Sequence, residues 1–299
     1  MTSHHDSQES RIAFIGLGKV GTAMAVLLRK AGYRLAALYD VSPEARERAA
    51  SATGAPIAGG AAEAASRSDM VFLTTGDDQI LAVCREIAEG GGFHPGQTAV
   101  HMSGAGGLDL LEPAREAGAC RASIHPMQAF ADSAMALENL PGSVFGVTAD
   151  EPAREWAVRI VGDLGGTPFF VAGENKALYH AAACMASNYL VTLIRQVEAV
   201  YESIGMDRED AVRAVWPLIG GTLRNIETMG TVRALTGPIV RGDAGTIEKH
   251  LAAFREKLPH LLETYRVLGK QTVKLAREKG TLSLEQAEQL NSILSGGTS

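Results

Sequence analysis

"RIAFIGLGKVG", residues 11–21, is the stretch on which the fold turns. After Arg11 the run is apolar to Ile15, as a strand buried on both faces requires, and glycines then recur at Gly16, Gly18 and Gly21. Residues 19–32 have helical periodicity and stop at Gly32. A second apolar run, "RLAALYD" (34–40), ends on an acidic side chain, Asp40. A lone GxGxxG means little in a chain with 33 glycines. Set between a strand and a helix, with a carboxylate closing the next strand, it specifies a dinucleotide-binding turn.

Each residue of that unit has a physical task. Gly16 permits the tight turn, Gly18 lets backbone approach a pyrophosphate, and Gly21 lets helix and strand pack closely. Leu17, Lys19 and Val20 complete the turn and the first helical residues, where free amides and the helix dipole favour an anion. Asp40 is placed to accept hydrogen bonds from the adenosine ribose and to repel a 2′-phosphate, which favours NAD over NADP. Arg46 and Arg48 keep NADP open, although both fit a solvated helix face.

Outward from this unit the alternation continues. "SPEARERAASA" (42–52) begins with a Ser N-cap and Pro at the first helical position. Further strands are expected at 69–75, 97–103, 120–126, 143–148 and 167–172, with helices between most of them. Strands alternating with helices predict an α/β fold with a doubly wound parallel sheet. Beyond Gly173 strand-like runs nearly vanish, and helices are expected at about 174–204, 208–228, 243–279 and 283–295. The chain therefore divides into a polar tail (1–10), expected to be disordered, a dinucleotide-binding domain (11–172) and an all-helical domain (173–299) for substrate and dimerisation.

Composition narrows the function classes. The chain has 299 residues, 46% apolar, and a formal net charge of −6 with scattered Lys and Arg, which argues against a nucleic-acid partner. Cys84, Cys120 and Cys184 form no CxxC pair, so neither a disulfide framework nor a metal site is expected. The polar start has no apolar core of a signal peptide, and no apolar run approaches the roughly 20 residues needed to span a bilayer. The expectation is a cytoplasmic protein with no membrane partner.

Ligands of such sheets lie outside the carboxyl ends of the strands. "TTGDDQI" (74–80) brings Thr75 there, with Asp77 or Asp78 expected to cap the next helix. "HMSGAGG" (101–107) brings Ser103 and Gly104 toward the nicotinamide side, and "IHPMQAF" (124–130) places His125 before a proline that biases it to extended backbone. "KALYHAAACMASNYL" (176–190) is an alanine-rich helix that nonetheless holds Lys176, His180, Ser187 and Asn188. At 3.6 residues per turn Lys176, His180 and Ser187 fall within about 40° of one another, with Asn188 farther round and Tyr179 to the other side. Lys176 opposes the dipole at the helix start, and buried without a partner it would cost several kcal/mol, so a ligand carboxylate or carbonyl is its expected partner. In "TGPIVRGD" (236–243), Asp243 is expected to N-cap the last long helix, and Arg241 could pair with it or with a substrate carboxylate.

The fingerprint, HMSGAGG, HPMQAF, the KALYHAAACMASNY helix and TGPIVRGD together make the chain resemble one group. These are Rossmann-like proteins with a C-terminal helical domain of unknown function, described as NADP oxidoreductases of the deazaflavin-dependent type. The layout is similar to 6-phosphogluconate and β-hydroxyacid dehydrogenases, pyrroline-5-carboxylate reductases and ketopantoate reductases. The resemblance implies a homodimer formed by the helical domain, an active site between domains, and a match of Lys176 to the lysine that orients and protonates the reacting oxygen. Those relatives carry Asn one turn later, where this chain has His180, and many of the closest group have a basic or neutral residue in place of Asp40. The implied activity is hydride transfer between NAD or NADP and a small carboxylate-bearing carbonyl, imine or alcohol, with Lys176 and His180 catalytic. Ser103, His125, Ser187, Asn188 and Arg241 are candidate substrate contacts. A non-catalytic dinucleotide sensor and a deazaflavin:NADP oxidoreductase are the alternatives.

Overall fold

A computed structural model describes residues 10–130 and 133–296. The expected tail, Ser10 apart, lies outside them. The chain divides into two compact units, one ending at Asn188 and the other beginning at Tyr189. The first unit thus runs past the change of sequence character at 172, because the helix opening at Lys176 is bonded to strand ends of the sheet.

Seven strands form one sheet in the order β2-β1-β3-β4-β5-β6-β7. They are β1 (Arg11–Ile15), β2 (Arg34–Tyr39), β3 (Met70–Leu73), β4 (Thr98–His101), β5 (Cys120–Pro126), β6 (Val144–Ala149) and β7 (Thr167–Phe170). The helices between them are α1 (Lys19–Lys30), α2 (Pro43–Thr53), α3 (Ala61–Ser66), α4 (Ile80–Glu89), α5 (Glu112–Glu116), α6 (Ser133–Asn139) and α7 (Glu151–Asp163). The order reverses at β1, which lies between β2 and β3, so the crevice for a dinucleotide opens above the carboxyl ends of β1 and β3.

The sheet is mostly parallel, as a doubly wound fold requires, with one exception. β5 and β6 pair antiparallel, with His125 opposite Gly146, while every other neighbouring pair is parallel. That register sets a residue without a side chain beside His125, which the site exploits.

Local signals explain most element boundaries. Ser42 Oγ accepts from the Ala45 amide at 3.2 Å, Pro43 opens α2, and Gly54 closes it with φ +70°. β3 is buried along its whole length, and Phe72 stacks on Phe14 with ring centroids 4.8 Å apart. Arg11 and Asp69 tie the start of β1 to the residue preceding β3. β7 is the edge strand and tolerates Pro168, which has no N–H to donate.

Into the end of the first unit runs α8 (Lys176–Cys184), followed by a π-helical turn, Met185–Tyr189. The second unit continues with α9 (Leu190–Glu202), α10 (Arg208–Ala234, broken at Gly230), α11 (Ala244–Lys257), α12 (Leu262–Glu278) and α13 (Leu284–Ser295). Asp207, Asp243 and Ser283 cap α10, α11 and α13, the last with a full capping box to Gln286. The single helix expected over 243–279 is two, because Pro259 cannot donate to the helical ladder and Leu258 leaves helical geometry before it. Ile247, Leu251, Val273, Leu290 and Leu294 pack the core of this unit.

The helix expected over 174–204 is likewise interrupted by the π turn. The joined stretch Gly173–Glu202 is nonetheless long and apolar enough to cross a bilayer, with a mean hydropathy of 1.3, so the expectation that no run reaches that length is corrected. Its first part holds Lys176, whose ammonium is bonded to protein groups, and so walls a protein site rather than facing lipid.

Candidate active site

The glycine turn shows why each glycine is needed. Gly16 adopts φ +96°, and a Cβ there would lie 2.6 Å from the Thr75 amide nitrogen. A Cβ on Gly21 would lie 2.2 Å from the Gly16 carbonyl oxygen, whereas Gly18 has open space where a Cβ would be. Thr74 Oγ1 donates to that same Gly16 oxygen at 2.6 Å, so the carboxyl ends of β1 and β3 are stitched together. Gly18 starts α1 without a side-chain cap, no acidic residue stands in the first turn, and Arg29 and Lys30 close the last. The amino end of α1 therefore keeps its positive character.

Asp40 has a role that its position in sequence does not reveal. Its two carboxylate oxygens accept from the Leu17 amide at 2.6 Å and the Ser42 amide at 2.9 Å. It clamps the glycine turn to the end of β2, and each oxygen keeps lone-pair capacity for a further donor. Arg46 lies over the Tyr39 ring, 6.0 Å from its centroid. Thr75 Oγ1 is buried and has no hydrogen-bond partner in the protein. An orphaned hydroxyl at the carboxyl end of β3, beside open space over Gly18, fits a bound dinucleotide.

Farther along the strand ends lies a polar cluster. Lys176 is only 2% exposed. Its Nζ donates to the Ser103 carbonyl at 3.0 Å and to Ser123 Oγ. Ser123 Oγ also donates to the Ser103 carbonyl, at 3.3 Å. Ser103 Oγ in turn donates to Asp77 at 2.5 Å and accepts from the Gly106 amide at 2.9 Å. Burial pulls the lysine down from its usual 10.5 to about 8, and the Asp77 carboxylate opposes the shift.

His101 locks the loop after β4. Its Nδ1 accepts from the Ser103 amide at 3.1 Å, so the proton is on Nε2, which donates to the Gly107 carbonyl at 3.0 Å. Burial, then the nearby Lys176 charge, push it down to about 4.

His125, at the end of β5, sits above this layer. Tyr179 Oη is 3.0 Å from its Nδ1, and the two rings meet edge-on. His180 approaches from the same helix, with ring centroids 5.8 Å apart. Gly104 closes the gap: a Cβ there would lie 2.4 Å from His180 Cδ2 and 2.8 Å from His125 Nε2. Gly146 does the same for Tyr179, whose oxygen would stand 2.5 Å from a Cβ at that position. His125 is also held down, to about 4, by burial and by the charges of Lys176 and His180. Cys184 Sγ lies 3.9 Å from His180 Nδ1.

The structure thus brings Ser103, Gly104, His125, Lys176 and His180 together, and Thr75 to the neighbouring strand end. Tyr179, on the other side of the Lys176–His180 stripe from Asn188, also reaches the cluster. At 100° per residue it stands about 60° from Lys176, within the width of one helix face. Neither Asp77 nor Asp78 caps the following helix: both lie in a 3-10 turn that opens after Gly76, Gln79 stands at the cap position of α4, and the Asp77 carboxylate accepts from Ser103 instead. Ser187, half-buried, and Asn188, exposed, lie on the π turn, which rotates them off the α-helical register that aligned Ser187 with Lys176. Arg241 belongs to the second unit, exposed at the end of a 3-10 turn before Gly242. Ser123 and His101 were not singled out by the sequence, and Tyr179 and Asp77 were noted there without a place in the site. Ser123 and His125 alternate correctly on β5 to share a face, which was the one available signal.

Comparison with known proteins agrees with this architecture. Residues 2–126 match the family model of a Rossmann-like domain, and residues 143–272 match that of the domain of unknown function DUF2520. A Bacteroides fragilis protein provisionally designated an NADP oxidoreductase superposes with a TM-score of 0.71 at 19% identity, over 91% of this chain and 99% of its own. A Thermotoga maritima protein gives 0.69 at 26% identity, over 90% and 97%. Pyrroline-5-carboxylate reductase from Coxiella burnetii gives 0.59 at 18%, over 94% and 98%. No curated protein matches the sequence.

Proposed function

We propose that this chain, a Rossmann-like domain joined to the DUF2520 domain, is an NAD(P)-dependent oxidoreductase acting on a small carboxylate-bearing carbonyl, imine or alcohol. The observation that carries the reading is the juxtaposition on one sheet edge. A glycine turn with an orphaned Thr75 hydroxyl stands beside a buried cation and two imidazoles. The names of the Bacteroides and Coxiella neighbours, both reductases or oxidoreductases on this fold, support it.

A bound nicotinamide would supply or accept hydride at the carboxyl ends of β3 and β4. The chain's own residues then do the rest. The Gly16–Gly21 turn and the amino end of α1 hold the pyrophosphate, Thr75 donates to the cofactor, and Asp40 faces the adenosine ribose. Asp40 favours NAD, because a 2′-phosphate would bring further negative charge against its carboxylate. Lys176 acts through its charge and by holding the Ser103 carbonyl, since two of its three N–H bonds are used within the chain. That differs from the direct proton donor implied by the resemblance. His180, whose ring meets that of His125, is the proton carrier to the reacting oxygen. Ser187, Asn188 and Arg241 remain candidates for the substrate carboxylate. The helical unit makes a homodimer in this reading, and Tyr189, Val191, Trp216 and Leu218, all strongly exposed, supply apolar surface for it. The protein acts in the cytoplasm, with neither nucleic acid nor membrane as partner.

Thermal-shift titration with NAD, NADP and their reduced forms, followed by a turnover screen of small keto acids, hydroxy acids and cyclic imines, tests the assignment. Saturation at about 100 times the dissociation constant adds about 2.7 kcal/mol to stability. Cofactor binding without turnover of any of these would favour a sensor, and absence of any dinucleotide binding would end the proposal.

A further inference from the structure

Resting on that oxidoreductase reading, we propose that Tyr179 holds His125 as an uncharged Nε2–H donor, and that this donor selects a ketone or aldehyde oxygen over a protonated imine.

The tautomer follows from the bonding. Tyr179 Oη accepts from the Gly146 amide and lies 3.0 Å from His125 Nδ1. Burial raises the phenol above its ordinary value, so it keeps its proton near neutrality and donates it to Nδ1. The imidazole proton is then on Nε2. That atom points to the face of Gly104, where a Cβ would come within 2.8 Å of it. Glycine at this position lets both histidine rings close on the loop backbone, and among the described residues the hydrogen bond His125 makes is at Nδ1, leaving the Nε2–H for a ligand.

The charge of the imidazole follows from its surroundings. Burial disfavours a cation most, Lys176 and His180 on α8 add to it, and Asp77 after β3 is the weaker opposing charge. Tyr179, from the same helix, contributes a neutral phenol. A neutral imidazole in this setting can polarise a substrate without giving up a proton, as histidines with lowered pKa do elsewhere.

Such a donor needs an acceptor. A carbonyl oxygen offers two lone pairs. As hydride reaches the carbonyl carbon, the C=O π pair moves to oxygen, and the growing negative charge strengthens the Nε2–H bond. The oxygen then takes one proton from His180, which draws its replacement from solvent, giving the alcohol and balancing the transfer. A protonated imine offers no lone pair at nitrogen, sets donor against donor, and brings a second cation toward Lys176. This separates the chain from the pyrroline substrate in the name of its Coxiella neighbour.

Nitrogen-15 NMR on histidine-labelled protein reads the tautomer directly. The expected result is a neutral Nε2–H His125 at pH 7, converted by Tyr179→Phe to a mixture of tautomers with a raised apparent pKa. In parallel, initial rates with NADH and NADPH are compared for 2-oxobutanoate and glyoxylate against 1-pyrroline-5-carboxylate. The keto acids are expected to exceed the imine at least about 10-fold in kcat/KM. His125→Gln, which keeps a neutral donor, should retain that preference even if Tyr179→Phe folds poorly. A cationic or Nδ1-protonated His125 at pH 7, or faster turnover of the imine, overturns the inference. Failure to bind any dinucleotide would instead remove the oxidoreductase reading while leaving the tautomer result standing.

Discussion

Lys176 Nζ donates to the Ser103 carbonyl oxygen at 3.0 Å, binding the first turn of α8 to the loop that follows β4. One buried ammonium thereby joins segments 73 residues apart and acts on two buried imidazoles, His101 and His125. Its charge matters twice, because it orders the loop and adds to the burial that keeps His101 and His125 neutral.

Replacing that charge should cost activity more than cofactor binding. Lys176→Met keeps much of the side-chain volume but removes the field and both hydrogen bonds. A loss of about 100-fold or more in kcat is expected, the range for removing a preorganised electrostatic group, with the NAD(H) dissociation constant within about threefold of wild type. Steady-state kinetics beside cofactor titration separate the two. Equal losses in both would place Lys176 in the dinucleotide site instead.

The same lysine gives stability a signature in base. Its folded pKa of about 8 lies below the ordinary 10.5, so between those values the unfolded chain binds more protons than the folded one. Stability then rises with pH across that window by linkage. Denaturant melts from pH 7.5 to 10.5 should show a rise in wild type relative to Lys176→Met. A constant difference between the two proteins would count against a buried, charged lysine.

Acid should act through the two buried histidines. Both His101 and His125 are lowered from 6.5 to about 4, so the unfolded state takes up protons first as pH falls. Their contribution is complete above pH 6.5 and lost on descent toward pH 4. His101→Gln and His125→Gln should each flatten the acid limb of stability against pH, and the double variant should flatten it most.

Gly16→Ala tests the turn without touching the imidazoles. The new methyl would need a left-handed residue and would press on the Thr75 amide, 2.6 Å away. The conformational strain alone costs about 1–2 kcal/mol, with the clash added to it. Loss of dinucleotide binding is expected with a lowered melting temperature. Retained tight binding would show that the pyrophosphate does not use this turn.

Asp40 clamps the turn and, in the proposed reading, also sets cofactor choice. Asp40→Asn removes the charge but keeps one acceptor for Leu17 or Ser42. The ratio of NADP to NAD affinity should rise about tenfold, equivalent to about 1.4 kcal/mol, as measured by calorimetry with each cofactor. An unchanged ratio would mean that the carboxylate serves only as the clamp.

The sequence by itself determined the α/β unit, its glycine turn, the helical character of the second half and most helix caps. Those features depend on neighbours a few residues apart: the spacing of Gly16, Gly18 and Gly21, Ser42 before Pro43, Asp243 before α11. It also singled out Lys176, His125 and Ser103 as polar residues at strand ends or in an alanine-rich helix. Which groups they meet was decided only by tertiary structure. The antiparallel turn of β6 sets Gly146 beside His125 and so admits the Tyr179 ring, and no local pattern encodes that reversal. The π turn moves Ser187 out of a register that 3.6-residue arithmetic had placed in line. The Lys176–Ser103 bond, too, depends on a loop and a helix folding together, because spacing along the chain says nothing about where distant strand ends converge.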